Sequence, residues 1–347
     1  MRLSFSTRVL AAASVMLHAC ATQIPADPAL ASIDESKLPT ANISLTIPGL
    51  GPCTDNPDRS LRLDSSQPVT VLVHGCFGSS GQFRGLAQVL AFHGQQSACF
   101  TYDDRASLGV SAAALAAALD QLVKPMQRSP GSAQVTLIGH SQGALVARRS
   151  LTVEQPNPIG SAETRLRLVT ISGPFAGIAA ANACGSPVVK VLSLGLIAPM
   201  CRIGTGDKWA DITYSSDFIR HPGALRKQVH DYLKIDTDER GSCRRTVNAI
   251  CVEDDYTFSL DEQRNPSVDG DASAQVVEVK AGHVEIVGDN RVAPVKLISV
   301  LQKNGVMHPT EPGRTAALDL LLVRLYQDEA PASRRESSLA ENAKGIQ

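Results

Sequence analysis

Gly139-His140-Ser141-Gln142-Gly143 places one serine between two residues that carry no side chain, two positions away on either side. A serine hydroxyl is a weak nucleophile at neutral pH. It needs a base within hydrogen-bond reach, a carboxylate to orient that base, and donors for the oxyanion that develops. Val135–Ile138 before the motif is apolar and β-branched and reads as a buried parallel strand. Ala144–Arg148 after it reads as a helix. Strand, G-x-S-x-G and helix is the context of a nucleophile elbow, in which a sharp turn pushes the serine hydroxyl above the sheet. Ser141 is the expected nucleophile.

In that architecture the parts follow the chain as oxyanion loop, serine, acid, histidine. The expected base is His283, in Ala281-Gly282-His283-Val284 directly after the last predicted strand. Gly282 lets the chain turn there, so the imidazole can reach back over the sheet edge. The acid is expected after the preceding strand, where Glu253, Asp254 and Asp255 stand in a row. Asp255 lies far enough past the strand to turn toward the imidazole, with Asp254 and then Glu253 as alternatives. Two backbone amides are expected to form the oxyanion hole: Gln142, next to the nucleophile, and Cys76, in His74-Gly75-Cys76-Phe77-Gly78.

These residues need a sheet to hold them. Predicted strands cover 42–47, 69–73, 97–102, 135–138, 165–172, 246–252 and 275–279, with helices over 81–93, 111–123, 144–148, 290–303 and 315–327. Pro125 is expected to stop the second of these helices. Alternating strands and helices imply a parallel sheet covered on both faces, with function gathered at the strand C-termini. Residues 176–236 break the rhythm with small and apolar runs and the single tryptophan, Trp209, and read as a cap or lid insertion.

With 347 residues and 43% hydrophobic content, the chain can build one large domain over 41–328. A formal net charge of −1 without a basic block argues against nucleic-acid binding. Arg2, Arg8 and the apolar run Val9–Leu17 resemble a signal peptide over 1–20. Leu17-His18-Ala19-Cys20 resembles a bacterial lipobox, with Cys20 as the lipidated residue and membrane association through it; cleavage after Ala21 is the rival. Residues 21–40 read as a linker and 329–347 as a tail. Export fits the eight cysteines, which include no C-x-x-C pair. Cys184 with Cys201 and Cys243 with Cys251 are the local disulfides the spacing suggests.

The segments VLVHGCFGSS (71–80), LIGHSQGALVARR (137–149), VTISGPFAG (169–177), ICVEDDYTF (250–258) and AGHVEIV (281–287) together resemble the α/β-hydrolase superfamily. Bacterial lipases and esterases are nearest in pattern. Two positions depart from it: Cys76 where an aliphatic residue is common, and Val252 where a glycine usually precedes the acid. The resemblance implies an α/β fold with a mostly parallel sheet flanked by helices and a helical cap. It implies hydrolysis of acyl or lipid-like esters through an acyl-enzyme, without metal or cofactor. An acyltransferase using the same triad, or a non-catalytic binding protein on the same fold, would have the same outline.

Overall fold

The structure is a computed structural model that describes residues 37–76, 78–127, 133–179, 206–289 and 291–326. The expectations for Cys20, the signal peptide, the tail and the Cys184–Cys201 disulfide lie outside these residues.

Eleven strands are present among the described residues: β1 (Ile43–Leu45), β2 (Leu50–Gly51), β3 (Leu61–Leu63), β4 (Val69–Val73), β5 (Gln96–Phe100), β6 (Gln134–His140), β7 (Arg165–Ile171), β8 (Val229–Asp238), β9 (Cys243–Val247), β10 (Ile250–Asp254) and β11 (Ala274–Lys280). Seven form the main sheet in the order β11-β8-β7-β6-β4-β5-β2. All neighbours in it pair parallel except β2, which runs antiparallel to β5 at one edge.

Side chains alternate between two cores. Val71, Val73 and Leu137 point to one face, which is covered by α2 (Leu108–Met126) and α3 (Gln142–Ser150) through Leu115, Leu119 and Val146. Leu72, Ile138 and Val169 point to the other, covered by α1 (Arg84–Phe92) and the C-terminal helices over Val295–Lys303 and Thr315–Tyr326. Burial on both faces is why these strands are near-continuous apolar runs in the sequence. Pro125 sits in the last turn of α2, which ends one residue later at Met126, near where the proline was expected to stop it.

Two sequence expectations are corrected. The stretch 176–236 is not all insertion, because β8 begins at Val229 and lies within the main sheet between β7 and the edge strand β11. Its apolar pattern is disguised by Lys234 and Asp236, both fully buried and joined at 2.5 Å, with Asp269 also 3.0 Å from the Lys234 ammonium. A buried charge survives when it is paired, and these are. Second, 246–252 is not a core strand. It is the turn region of the β9–β10 hairpin, a separate two-stranded sheet. Asn248 and Ala249 both have positive φ (50° and 63°), the conformation that a tight two-residue hairpin turn requires. Strong β propensity without a core to face explains the misreading.

The expected Cys243–Cys251 disulfide is present and staples this hairpin. A second, Cys53–Cys99, ties the loop after β2 to β5.

Candidate active site

β4 and β6 are adjacent in the sheet, with Val73 opposite Gly139, yet their following helices cover opposite faces. Such a switch point opens a crevice at the strand C-termini. Ser141 lies there, between the last residue of β6 and the first of α3. Its backbone has φ 57° and ψ −126°, a conformation costly for a residue with a Cβ. The turn is held because the Ser141 N–H donates to the Ile171 carbonyl at 2.9 Å, and the Ser141 carbonyl accepts from Ala144 N–H at 3.0 Å. The two motif glycines have separate reasons. A Cβ on Gly139 would fall 2.3 Å from the Gly143 carbonyl oxygen, and one on Gly143 would fall 2.3 Å from the His74 carbonyl oxygen. Both obstacles are backbone, so neither can step aside.

His283 follows β11 and is buried beside the residue that precedes the serine. Its ring centroid lies 4.8 Å from that of His140, and its carbonyl accepts from His140 Nε2 at 2.9 Å. That bond fixes the His140 tautomer, since a carbonyl only accepts. Burial, reinforced by the neighbouring His283, pushes the His140 pKa well below its ordinary value. His140 is therefore a neutral support.

The carboxylate against His283 is Glu239. His283 Nδ1 donates to Glu239 Oε1 at 2.8 Å. Thr237 Oγ1 donates to the same oxygen at 3.0 Å, and the N–H groups of Thr257 and Phe258 donate to Oε2 at 2.6 and 2.8 Å. Glu239 is 1% exposed, so these four donors are what keep a buried carboxylate satisfied. The imidazole packs nearly perpendicular to the Phe258 ring, with centroids 4.8 Å apart.

The expectation that Asp255 would face the imidazole is corrected by this geometry. Asp255 Oδ1 accepts from Val284 N–H and Oδ2 from Glu285 N–H, each at 2.9 Å, while its carbonyl accepts from His283 N–H at 3.0 Å. It grips the backbone of the histidine loop. Gly282 permits that grip, because a Cβ there would lie 2.0 Å from Asp255 Oδ2. Burial pushes the Asp255 carboxyl above its ordinary pKa, partly offset by the two amides. Of the alternatives, Asp254 is exposed and caps the Tyr256 N–H, and Glu253 is engaged by Arg244 and Arg291.

Glu239 was missed because its strand was missed. It directly follows Asp238, the last residue of β8, which is where an acid belongs in this chain order. The signal was the apolar run of Tyr232, Leu233 and Ile235, interrupted by a charged pair.

Cys76 sits in the loop after β4, one residue past Gly75, whose hypothetical Cβ would meet Ser141 Cβ at 2.9 Å. The loop is braced by Tyr102, whose hydroxyl donates to the His74 carbonyl at 2.9 Å and whose ring stacks on His74 at 4.6 Å. Gln142 is the first residue of α3, in the turn whose amides lack intrahelical acceptors. Its side chain reaches the Asp104 carbonyl at 3.1 Å. No group of histidine, cysteine and carboxylate side chains among the described residues has the geometry of a metal site.

His74, like His140, is held below its ordinary pKa, mainly by burial. Both gain protons on unfolding when the pH falls below the unfolded histidine value of about 6.5. Stability from these groups is therefore present above that pH and lost as pH falls toward their folded values. Each contributes up to about 1.4 kcal/mol per pH unit within its window. The free energy of urea unfolding should drop between about pH 7 and pH 5.5, and drop less in His140→Gln, whose amide can still donate to the His283 carbonyl. An equal drop in both proteins would show that His140 does not carry the effect.

The chain belongs to the alpha/beta hydrolase family, whose family model matches residues 70–293. Strand order, the elbow turn and the flanking helices agree with that assignment. No curated protein matches the chain. Among solved structures, a Bacillus licheniformis lipase in its mature form is 16% identical, with a TM-score of 0.47, covering 76% of this chain and 98% of its own. An esterase from Thermogutta terrifontis is 12% identical at a TM-score of 0.42, covering 76% and 90%. Aspergillus fumigatus lipase B is 12% identical at 0.45, covering 89% and 68%.

Proposed function

We propose that the protein is an exported serine hydrolase of carboxylic esters, acting on acyl or lipid-like substrates through Ser141, His283 and Glu239. One observation carries the reading: Ser141 is held at φ 57° in a strand–turn–helix elbow, and its neighbour His140 packs on a buried His283 whose Nδ1 is bonded to a carboxylate. Strain of this kind persists only where the surroundings enforce it, and it clusters at functional sites.

The chemistry follows from the bonds. With Nδ1 committed to Glu239, Nε2 is the remaining nitrogen for proton transfer. It takes the Ser141 proton as Oγ attacks the acyl carbonyl, then returns it to the leaving alcohol. Glu239 holds the tautomer and stabilises the imidazolium. The N–H groups of Cys76 and Gln142 receive the oxyanion, each contributing about 3 kcal/mol to the transition state. Water activated by His283 then releases the acid. Asp255 is a positioning residue that holds the histidine loop.

Export is supported by two disulfides, which persist in oxidising compartments. The N-terminal pattern extends this to a signal peptide and a lipidated Cys20, which would bring the site to a membrane surface. No helix among the described residues is long and apolar enough to cross a membrane.

A fluorophosphonate probe tests the reading directly. The folded protein should be labelled at one site, mapped by peptide mass to Ser141, with concurrent loss of p-nitrophenyl ester hydrolysis. Folded protein that takes no label would falsify it.

A further inference from the structure

Two nucleophiles that the proposed reaction does not use meet beside the elbow. Lys208 Nζ lies 2.9 Å from Cys76 Sγ, and 3.3 Å from Asp104 Oδ2. Lys208 is fully buried, whereas Cys76 is half-buried and keeps its thiol. The lysine opens the short helix Lys208–Asp211. That segment is docked on the loop after β5: Asp207 N–H donates to the Arg105 carbonyl at 2.8 Å, and Asp211 Oδ2 accepts from Leu108 N–H at 2.7 Å. The amine and the thiol are thus presented to each other by two anchored pieces of chain, 132 residues apart in sequence.

We propose that Cys76 and Lys208 form a peroxide-triggered covalent cross-link, a sulfenamide, that ties the loop after β4 to the 206–211 segment. An adjacent ammonium favours the thiolate, which is the form that peroxide oxidises. The thiolate attacks one peroxide oxygen, the S–O bond forms and the O–O bond breaks. The hydroxide that leaves takes a proton from the Lys208 ammonium, giving water, a sulfenic acid on Cys76 and a neutral amine on Lys208. The amine electron pair then forms an S–N bond, the S–O bond breaks, and the departing hydroxide leaves as water with a second amine proton. One peroxide is reduced, the sulfur is oxidised by two electrons, and two waters are formed in all. A sulfenic acid is known to condense with a nearby nitrogen in this manner. Here the nitrogen is a lysine amine already in contact with the sulfur, and Asp104 keeps it there.

The consequence for activity rests on the proposed function, because the bond would immobilise the loop whose Cys76 N–H is assigned to the oxyanion. The cross-link itself does not rest on it. The test is therefore a mass measurement. Full-length protein is treated with one to a few equivalents of hydrogen peroxide, digested without reductant, and mapped. The expected product is a peptide joining residues 76 and 208, lighter by two hydrogens than the sum of its parts and lost on adding a thiol reductant. Cys76→Ser should give no such peptide, and Lys208→Arg should give Cys76 sulfenic or sulfinic acid instead. Wild-type Cys76 that stays a thiol, or goes to sulfinic acid with Lys208 unchanged, overturns the proposal whether or not the protein hydrolyses esters.

Discussion

Ser141→Gly should yield a protein that is more stable than the wild type and inactive. Loss of the nucleophile in a serine triad lowers kcat by about six orders of magnitude. The gain in stability has a different origin. Ser141 holds φ 57° and ψ −126° with a Cβ in place, and such strain costs about 1–3 kcal/mol. Glycine visits that region freely, although its extra freedom in the unfolded chain returns up to about 1 kcal/mol of the gain. A net increase of about 1 kcal/mol, read as a higher urea midpoint or a Tm raised by a few degrees, is the expected balance. Ser141→Ala separates the two effects. It removes the hydroxyl and keeps the Cβ, so it should be as inactive as Ser141→Gly but remain strained. Equal stability of the alanine and glycine variants would mean that the elbow stores no strain energy. The neighbouring glycines cannot be treated in this way, because a Cβ at Gly139 or Gly143 meets backbone oxygens rather than open space.

The parts of the molecule that were legible in the sequence are those where local pattern and tertiary role coincide. β4, β6 and β7 are buried on both faces, so their residues form apolar runs that need no context to be recognised. The elbow was legible because steric demands on Gly139 and Gly143 leave no other residue in their places. β8 was not, because two of its central positions are a lysine and an aspartate whose burial depends on each other and on Asp269, a residue in a helix beyond the hairpin. No one-dimensional pattern announces a pair satisfied across that distance. The hairpin β9–β10 failed in the opposite direction: its β-branched residues satisfy strand propensity while most of its side chains face solvent. One consequence runs into the site. Mistaking the hairpin for the strand before the acid moved the expected carboxylate from Glu239 to Asp255, on the far side of that excursion. The error was nonetheless local in space, since the chain leaves the sheet after Glu239 and returns at Asp255, where both carboxylates serve the same histidine segment.

The relation between those two carboxylates makes the sharpest mechanistic prediction. Glu239→Gln should lower kcat for ester hydrolysis by about four orders of magnitude, the scale seen when the orienting carboxylate of a triad becomes an amide. The cause is specific. Thr257 and Phe258 N–H groups already hold one oxygen of the side chain at 2.6 and 2.8 Å, so the glutamine carbonyl is fixed there and its NH2 must face His283 Nδ1. A donor in that place selects the tautomer with the proton on Nε2, which then cannot accept one from Ser141. Thr237 Oγ1 would also face a donor where it now has an acceptor, and can turn toward Ser172 Oγ at 2.7 Å or Gln263 Oε1 at 3.3 Å, so the fold should survive. Asp255→Asn should act differently. It leaves the Nδ1 bond intact but puts an NH2 against one of the two amides of Val284 and Glu285, loosening the loop. Its expected signature is a stability loss of about 1–3 kcal/mol and a kcat fall of no more than about two orders. A Glu239→Gln protein retaining more activity than Asp255→Asn would return the orienting role to Asp255.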